Sequence, residues 1–499
     1  MTVLAFWGYE ASEEVVADPD PGNSLPAPFW SHATGFQGST TTNVQSGKFG
    51  GTLINRTTLG TAPPWSDTSE NFWWCHFMLQ FRAATHSSTG TTIFASGSET
   101  GVAGPPFYII RVTHDTTKLL TIKVYRHTSV ASGTGGTQLG TYTFGASEDT
   151  EPNWIAIRIG KSNGATHATV EVWVNDTQRI TYTETGDAGT SSTNDATHMN
   201  VASAIWVASQ WVGNIVTCGG STGLVTANTT TQLTVDSWVG GTPADGSTFT
   251  MAIGAKATHA FGHIGPVDGK GAPRDNTFYV DDYILLDEGG SSYNGRIAAG
   301  AVEIWGYQPD ADVTGYNDWA VSNLAKKYRN CDDYNDTNNA SEPVDDYVKS
   351  STDDAKQLFR LADEPNASAN IGAVIVSLYH RVSTSAAFVN FLVGCSDEGT
   401  GPVEYSSYWS MPNNYEPYPS LFLPLTPGGN AWTLAKLNAF YAGIQKNEVA
   451  ATERQVRIVG VQVLGDTMTG PTANADANND DVADPWAVVS AFVARVMVY

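Results

Sequence analysis

The fold is decided by residues 154–182, WIAIRIGKSNGATHATVEVWVNDTQRITY. In residues 154–159 (WIAIRI) and Thr169–Val174 (TVEVWV) apolar side chains recur at every second position, while Arg158 and Glu171 fall on the opposite face. A period of two is the mark of an antiparallel strand with one face on a core. Asn175-Asp176 then supplies a turn, because both residue types tolerate left-handed backbone, and residues 178–182 read as the returning strand of a hairpin.

Outward from this hairpin the same pattern repeats. From about residue 48, strand-like runs alternate with Gly, Thr, Ser and Asn; examples are 72–81 (FWWCHFMLQF), 107–112 (FYIIRV) and 119–125 (LLTIKVY). Trp73, Trp154 and Trp173 sit inside such runs and read as packing residues. Between residues 186 and 262 the spacing changes: GDAGTSSTND leads into strand-like runs at 204–212 and 231–239, and the first pattern resumes only at 277–286. An inserted β-subdomain explains this better than one continuous sheet. Loops on a β-sandwich are where recognition concentrates, so the insertion is read either as a contact with a neighbouring subunit or as a ligand site. Its Trp206, Trp211 and Trp238 are the candidates for exposed contact with carbohydrate or a partner.

After Gly295 a new segment opens with 301–307 (AVEIWGY), and the Asn/Asp-rich 330–346 reads as loop. Ser351-Thr352-Asp353-Asp354 offers an N-cap with acidic first-turn residues ahead of AKQLFRLAD, which predicts a short helix with Leu358, Phe359 and Leu361 turned inward. Strands are expected at 372–379 (GAVIVSLY), 387–393 (AFVNFLV) and 455–463 (QVRIVGVQV), and a second helix at 433–445. The apolar tail 487–499 reads as a last core strand or a docking element carried by Phe492, Val496 and Tyr499. The expected division is therefore an all-β chain: a jelly-roll sandwich over 1–295, a β-subdomain inserted at 186–262, and a second β-sandwich with one or two short helices over 296–499.

Composition supports that division and narrows the function. At 499 residues the chain exceeds one ordinary core. Only 15% of residues are charged, which suits many short strands and polar turns rather than helical bundles. Fifty acidic against 26 basic residues give a net charge of -24, which argues against nucleic acid or an anionic membrane as partner. Cys75, Cys218, Cys331 and Cys395 lie in no metal or disulfide pattern and are expected as buried thiols. The N-terminus MTVLAFWGYEASEE lacks a basic n-region, and no segment approaches 18 uninterrupted apolar residues, so synthesis in a cytoplasm without membrane insertion is expected.

Catalytic patterns are not found. The Glu-x-Asp-x-x-Glu strand motif of lectin-like glucanases is missing, and Asp281, Asp282, Asp287 and Glu288 bracket a strand without the spacing for hydrolysis. Asp476, Asn478 and Asp480 begin like a calcium loop, but Asp481 stands where the turn glycine belongs and Ala487 where the bidentate Glu belongs, so Ca2+ is only weakly supported and no cofactor is expected. His259 and His263 lack the Glu of a zinc-protease helix, and Gly394-Cys395-Ser396 lacks the closing glycine of a nucleophile elbow. A non-enzymatic role is the expectation.

Two resemblances complete the reading. GKFGGTLIN (47–55), FWWCHFMLQF, TTIFASGS, WIAIRIG, VEVWVNDTQ and FYVDDYILLD together resemble the concanavalin A-like lectin/glucanase (laminin G-like) jelly roll, which implies two curved antiparallel sheets but no particular ligand. Residues 278–465, through FYVDDYILLDEGGSSYNGRIAAGAVEIWGY, EPVDDYVKSSTDDAKQLFRLADEP, IGAVIVSLYHRV and GNAWTLAKLNAFYAGIQ, resemble uncharacterised structural proteins of tailed phages. Ile304 and Trp305 depart from that family's shorter hydrophobics. The resemblance implies a virion protein made in the host cytoplasm, in tail, baseplate or fibre more than head. Its expected partners are other virion proteins, copies of itself (a trimer) and a host-surface glycan. The rival readings are a polysaccharide-degrading tailspike or lectin-like glycosidase, and a capsid decoration protein; a secreted adhesin is disfavoured by the missing signal peptide.

Overall fold

The structure, a computed structural model, describes residues 3–7, 36–40, 50–54, 59–60, 72–82, 87–95, 107–114, 119–127, 137–146, 148, 151–160, 169–183, 186–204, 206, 211–212, 214–252, 263–264, 277–287, 296–307, 309–321, 348–382, 389–399, 401–405, 420–446 and 454–470. The expected loop at 330–346, the calcium candidates Asp476, Asn478 and Asp480, the docking candidates Phe492, Val496 and Tyr499, and Glu288, His259 and Cys331 lie outside them.

The hairpin expected at 154–182 is present. Strand Asn153–Gly160 pairs antiparallel with Thr169–Val174, placing Arg158 opposite Glu171, and Thr169–Val174 pairs in turn with Thr177–Thr183. Asn175 and Asp176 both take positive φ, 47° and 66°, as the two central residues of a type I′ hairpin turn require. The other edge of Asn153–Gly160 pairs with Phe72–Arg82, which pairs with Thr277–Asp287 at the centre of an eight-stranded sheet. Alternation then decides what each face meets. Phe77, Ile155, Ile157, Val170 and Val172 point one way, and with Tyr108, Ile110, Val112, Ile122 and Val124 of a four-stranded sheet (Ser87–Ala95, Phe107–His114, Thr121–His127, Thr137–Thr143) they belong to one buried core. Burying each such side chain stabilises by about 1.5–3 kcal/mol before chain entropy is set against it.

Between Thr177–Thr183 and Thr277–Asp287 the chain builds a separate sheet. Its order is Asp187–Thr190, Thr248–Ala252, Ile215–Cys218, Ser221–Asn228, Gln232–Val239, His198–Asn200 and Thr193–Asn194. The first and last of these are one continuous stretch, joined through Ser191, whose N–H donates to Ser247 O at 2.9 Å, and Ser192, whose N–H donates to Asn200 O at 2.7 Å. The sheet therefore closes on itself as a small barrel, which removes its edges. Met199, Val216, Cys218, Val225, Leu233, Val235, Phe249 and Met251 fill it, in a core that shares no residue with the sandwiches.

The C-terminal part is a second sandwich. One sheet contains Ala320–Val321, Val348–Ser350, Arg454–Asp466, Asn370–Val382 and Ser420–Leu423, with Glu303–Tyr307 also on Arg454–Asp466; the other contains Pro309–Asn317, Lys356–Leu361, Phe440–Lys446, Val389–Cys395 and Val403–Tyr405. Phe359, Phe391, Val374, Val376, Phe440, Ile444, Val461 and Val463 meet between them. The alternate residues of the first sheet, Ile304, Ala373, Ile375 and Leu464, join the core of the N-terminal sandwich instead. That sheet is thus buried on both faces, which is why residues 372–376 (GAVIV) run apolar without alternation.

Both expected helices need correction. The run expected as helix after Asp354 is strand Lys356–Leu361, hydrogen-bonded on both edges, to Pro309–Asn317 and to Phe440–Lys446. Asp354 caps nothing; it sits at φ 57° in the turn that enters the strand. The flanking strands take up its backbone hydrogen-bonding groups, continuously on the Phe440–Lys446 side, and tertiary pairing overrides the helix propensity of Ala, Lys, Gln and Leu. The second helix forms but covers only Leu434–Asn438, with the Thr433 hydroxyl accepting from Lys436 N at 3.2 Å, and the chain turns at once into strand Phe440–Lys446. Residues 204–212, read as a strand, are turn and loop at every described position.

Candidate functional site

The barrel was singled out for three tryptophans, and the structure places all three inside it. Trp206, Trp211 and Trp238 are 5%, 3% and 9% exposed. Trp206 stands edge-on to Trp211 and to Phe249, and its indole donates to Asp187 at 2.6 Å; the Trp238 indole donates to Asp195 O at 3.0 Å. Their expected exposure is corrected by closure of the sheet, which leaves a lumen that aromatic bulk fills.

One end of the barrel that solvent reaches is built from tight glycine turns. The turns Gly219–Gly220, Gly240–Gly241 and Asp245–Gly246 carry five glycines at positive φ. Two of these turns pack so closely that a Cβ at Gly219 would lie 2.7 Å from Ser247 Oγ and one at Gly240 3.2 Å from Ser221 Oγ. Glycine is therefore required there by both backbone and space. Val239, beside them, is 72% exposed, the most exposed large apolar side chain among the described residues. Asp195 sits on the same domain, held as an acceptor by the Thr197 and His198 backbone amides (2.8 Å each), which with the His198 ring keep its carboxyl below the usual range.

Two carboxylates elsewhere, Glu364 and Glu398, are held by several donors each. Glu364, 2% exposed, takes the Tyr307 hydroxyl at 2.6 Å on one oxygen and the Asn366 amide, Thr469 amide and Thr469 hydroxyl on the other. Burial raises the Glu303 carboxyl, the Trp305 indole partly reverses this, and Glu364 adds to the rise. With Glu364 saturated by four donors, the two do not form an acid and a free base facing a substrate. Glu398 accepts from the Thr426 hydroxyl (2.6 Å), Gly428 N (2.9 Å), Asn430 Nδ2 (2.9 Å) and Lys436 Nζ (3.0 Å), tying the 426–430 turn to the short helix. Among the described residues no group of three or more His, Cys, Asp or Glu is placed to hold a metal ion, and no helix is long and apolar enough to cross a membrane.

The other notable constellation is the strap between the two sandwiches. Ile297 donates its N–H to His76 Nε2 at 3.1 Å, and its carbonyl accepts from the Trp154 indole at 3.0 Å. Ala299 N donates to Asp176 at 3.1 Å, and Arg296 pairs with the same carboxylate while lying over the Trp173 ring. Sequence reasoning passed over His76 and Arg296, as well as Glu364 and Glu398, and read Asp176 only as a turn residue. Only a histidine inside the apolar run FWWCHFMLQF marked the first, and nothing local marks the partners, which come from distant segments.

No family model matches the chain, and no curated protein does. Solved structures with partial overlap include an alginate lyase Aly36B mutant in complex with alginate trisaccharide (9% identity, 48% of this chain and 81% of that one, TM-score 0.22). Others are the binding domain of botulinum neurotoxin DC in complex with SialylT (8%, 85% and 89%, 0.23) and the botulinum neurotoxin serotype D binding domain (7%, 82% and 90%, 0.23). At TM-scores of 0.22–0.23 the overlap assigns neither ligand nor activity to this chain.

Proposed function

We propose that this chain is a surface structural protein of a tailed-phage particle, in the tail, baseplate or fibre. The two packed sandwiches form its body, and the inserted barrel makes its outward contact, with a host-surface glycan as ligand. The observation that carries the reading is the insertion itself: a closed barrel with a private core, entered and left through one sandwich, ending in a glycine-built face beside Val239. The sandwiches spend their broad apolar faces on one another, so the barrel is the part left for recognition. The resemblance of residues 278–465 to phage structural proteins supplies the setting. The acidic surface, at -24 overall, suits a particle part that stays soluble until assembled.

Two experiments test this. A reconstruction of the intact particle should place the chain on its outer surface as a homotrimer. Finding it on the capsid would turn the reading into capsid decoration, and finding it in no particle would end it. Purified protein on a bacterial glycan array should bind without cleaving, and replacing the exposed Val239 by Asp should abolish binding. Release of oligosaccharides would favour the tailspike enzyme.

A further inference from the structure

We propose that His76 and Ile297 form an acid-released latch between the N-terminal and C-terminal sandwiches, in which the neutral imidazole holds the connecting strap and its protonation lets the strap go. The geometry comes first. His76 is fully buried in the eight-stranded sheet, stacked on Trp74 (centroids 5.5 Å apart, 16°) on one side and Trp154 (6.0 Å, 28°) on the other. Its Nε2 accepts the Ile297 amide, so the ring's one proton sits on Nδ1, for which no partner is present among the described residues. A second proton would have to go on Nε2. There it would face the Ile297 N–H, donor against donor, and leave a fully buried cation with no acceptor for either N–H among the described residues, a cost that the stacked indole faces offset only in part.

The groups around the ring reinforce this. On the strap, the Arg296 guanidinium acts on His76 with a like charge, even though Asp176 pairs with it. On the same sheet face Arg158 is paired with Glu171 at 3.3 Å. On the neighbouring strand the register partner of His76 is Ile284; the carboxyl nearest along that strand is Asp282, buried at the bulge that separates Asp281 from Ile284. The C-terminal sheet contributes Ile304, Ala373, Ile375 and Leu464 to the same core, with the uncharged Gln462 buried opposite Ile375. Burial first, and Arg296 second, push the His76 imidazole down to about 3. A folded-state value below the ordinary ~6.5 means that the stabilisation is complete above pH ~6.5 and is lost as pH falls from there toward 3. Linkage sets the slope: opening that exposes the ring becomes close to tenfold easier per pH unit.

Hydrogen exchange of the strap amides 296–300, corrected for the intrinsic pH dependence, measures this opening on the full chain. The wild type should show an opening constant rising about tenfold per pH unit from pH 6 to pH 4. His76→Gln, which keeps an acceptor but cannot titrate, should give a flat profile. Parallel profiles for the two proteins would overturn the latch. Should the variant fail to fold, deuterium uptake at the His76 ring carbon of the wild type decides alone: a midpoint well below 6 supports the proposal, and one near 6.5 refutes it.

Discussion

Glu398 shows how much one side chain can organise. Burial alone would push its carboxyl up, but donation from Thr426, Asn430, Lys436 and Gly428 outweighs burial and brings it to about 2. Its stabilising effect is therefore complete above the ordinary ~4.5 and disappears as pH falls toward 2. Glu398→Gln keeps the shape and removes the charge, so it should lower stability by about 1.5–3 kcal/mol at neutral pH and flatten the acid limb of a thermal-unfolding series. The thiols behave in the opposite way. Burial pushes Cys75 up to about 12, partly offset by the Tyr283 hydroxyl, and burial followed by Glu398 and Asp397 pushes Cys395 up to about 12. Neither should react with a thiol reagent such as DTNB at pH 8 until denaturant is added, and labelling of either in the native state would contradict the packing. Buried free thiols at Cys75, Cys218 and Cys395 follow from the sequence, since cysteines so far apart and embedded in strand patterns point to little else. The Glu398 clamp was not legible, because its donors come from residues 28 to 38 positions away and no periodicity reports such a meeting.

Among the elements, strands were easy to read where one face is wet and harder where local chemistry and tertiary pairing disagree. Thr169–Val174 alternates buried and half-buried throughout, and its pattern is its assignment. Lys356–Leu361 reads as helix because Ser351-Thr352-Asp353-Asp354 offers a cap and an acidic first turn ahead of it. It is a strand because residues on both sides, remote in sequence, claim its backbone. The contact that fixes this is visible at Gly443, where an added Cβ would lie 2.0 Å from the Gln357 carbonyl oxygen. Gly443→Ala must therefore separate two paired strands, and we expect at least ~1–3 kcal/mol of destabilisation in a urea titration. A neutral outcome would mean the two strands do not approach in this way. The Thr433 cap was legible as the start of a helix, but its end after one turn was not, since Phe440–Lys446 is buried at every residue and carries no amphipathic stripe.

For the whole molecule, the order sandwich, insertion, sandwich was visible in the sequence as a change of spacing between residues 186 and 262. The closure of the inserted sheet was not visible. Closure depends on residues 187–194 serving both ends of one sheet, and it turns tryptophans expected outside into core. Trp206→Ala should therefore cost about 3–5 kcal/mol and unfold the barrel, seen as partial loss of near-ultraviolet circular dichroism, the remainder coming from tryptophans in the intact sandwich cores. Residues 186–253 expressed alone should unfold cooperatively, because every core residue of the barrel comes from within them. The insertion also imposes a timetable. Thr277–Asp287 lies at the centre of the eight-stranded sheet, between Phe72–Arg82 and Gly50–Ile54, yet the ribosome makes it after the barrel. The nascent chain must hold Phe72–Arg82 with one edge unsatisfied for nearly two hundred residues of translation. A complete barrel can meanwhile form as soon as Ala252 leaves the exit tunnel, so the first domain of this protein to be finished is the one in its middle.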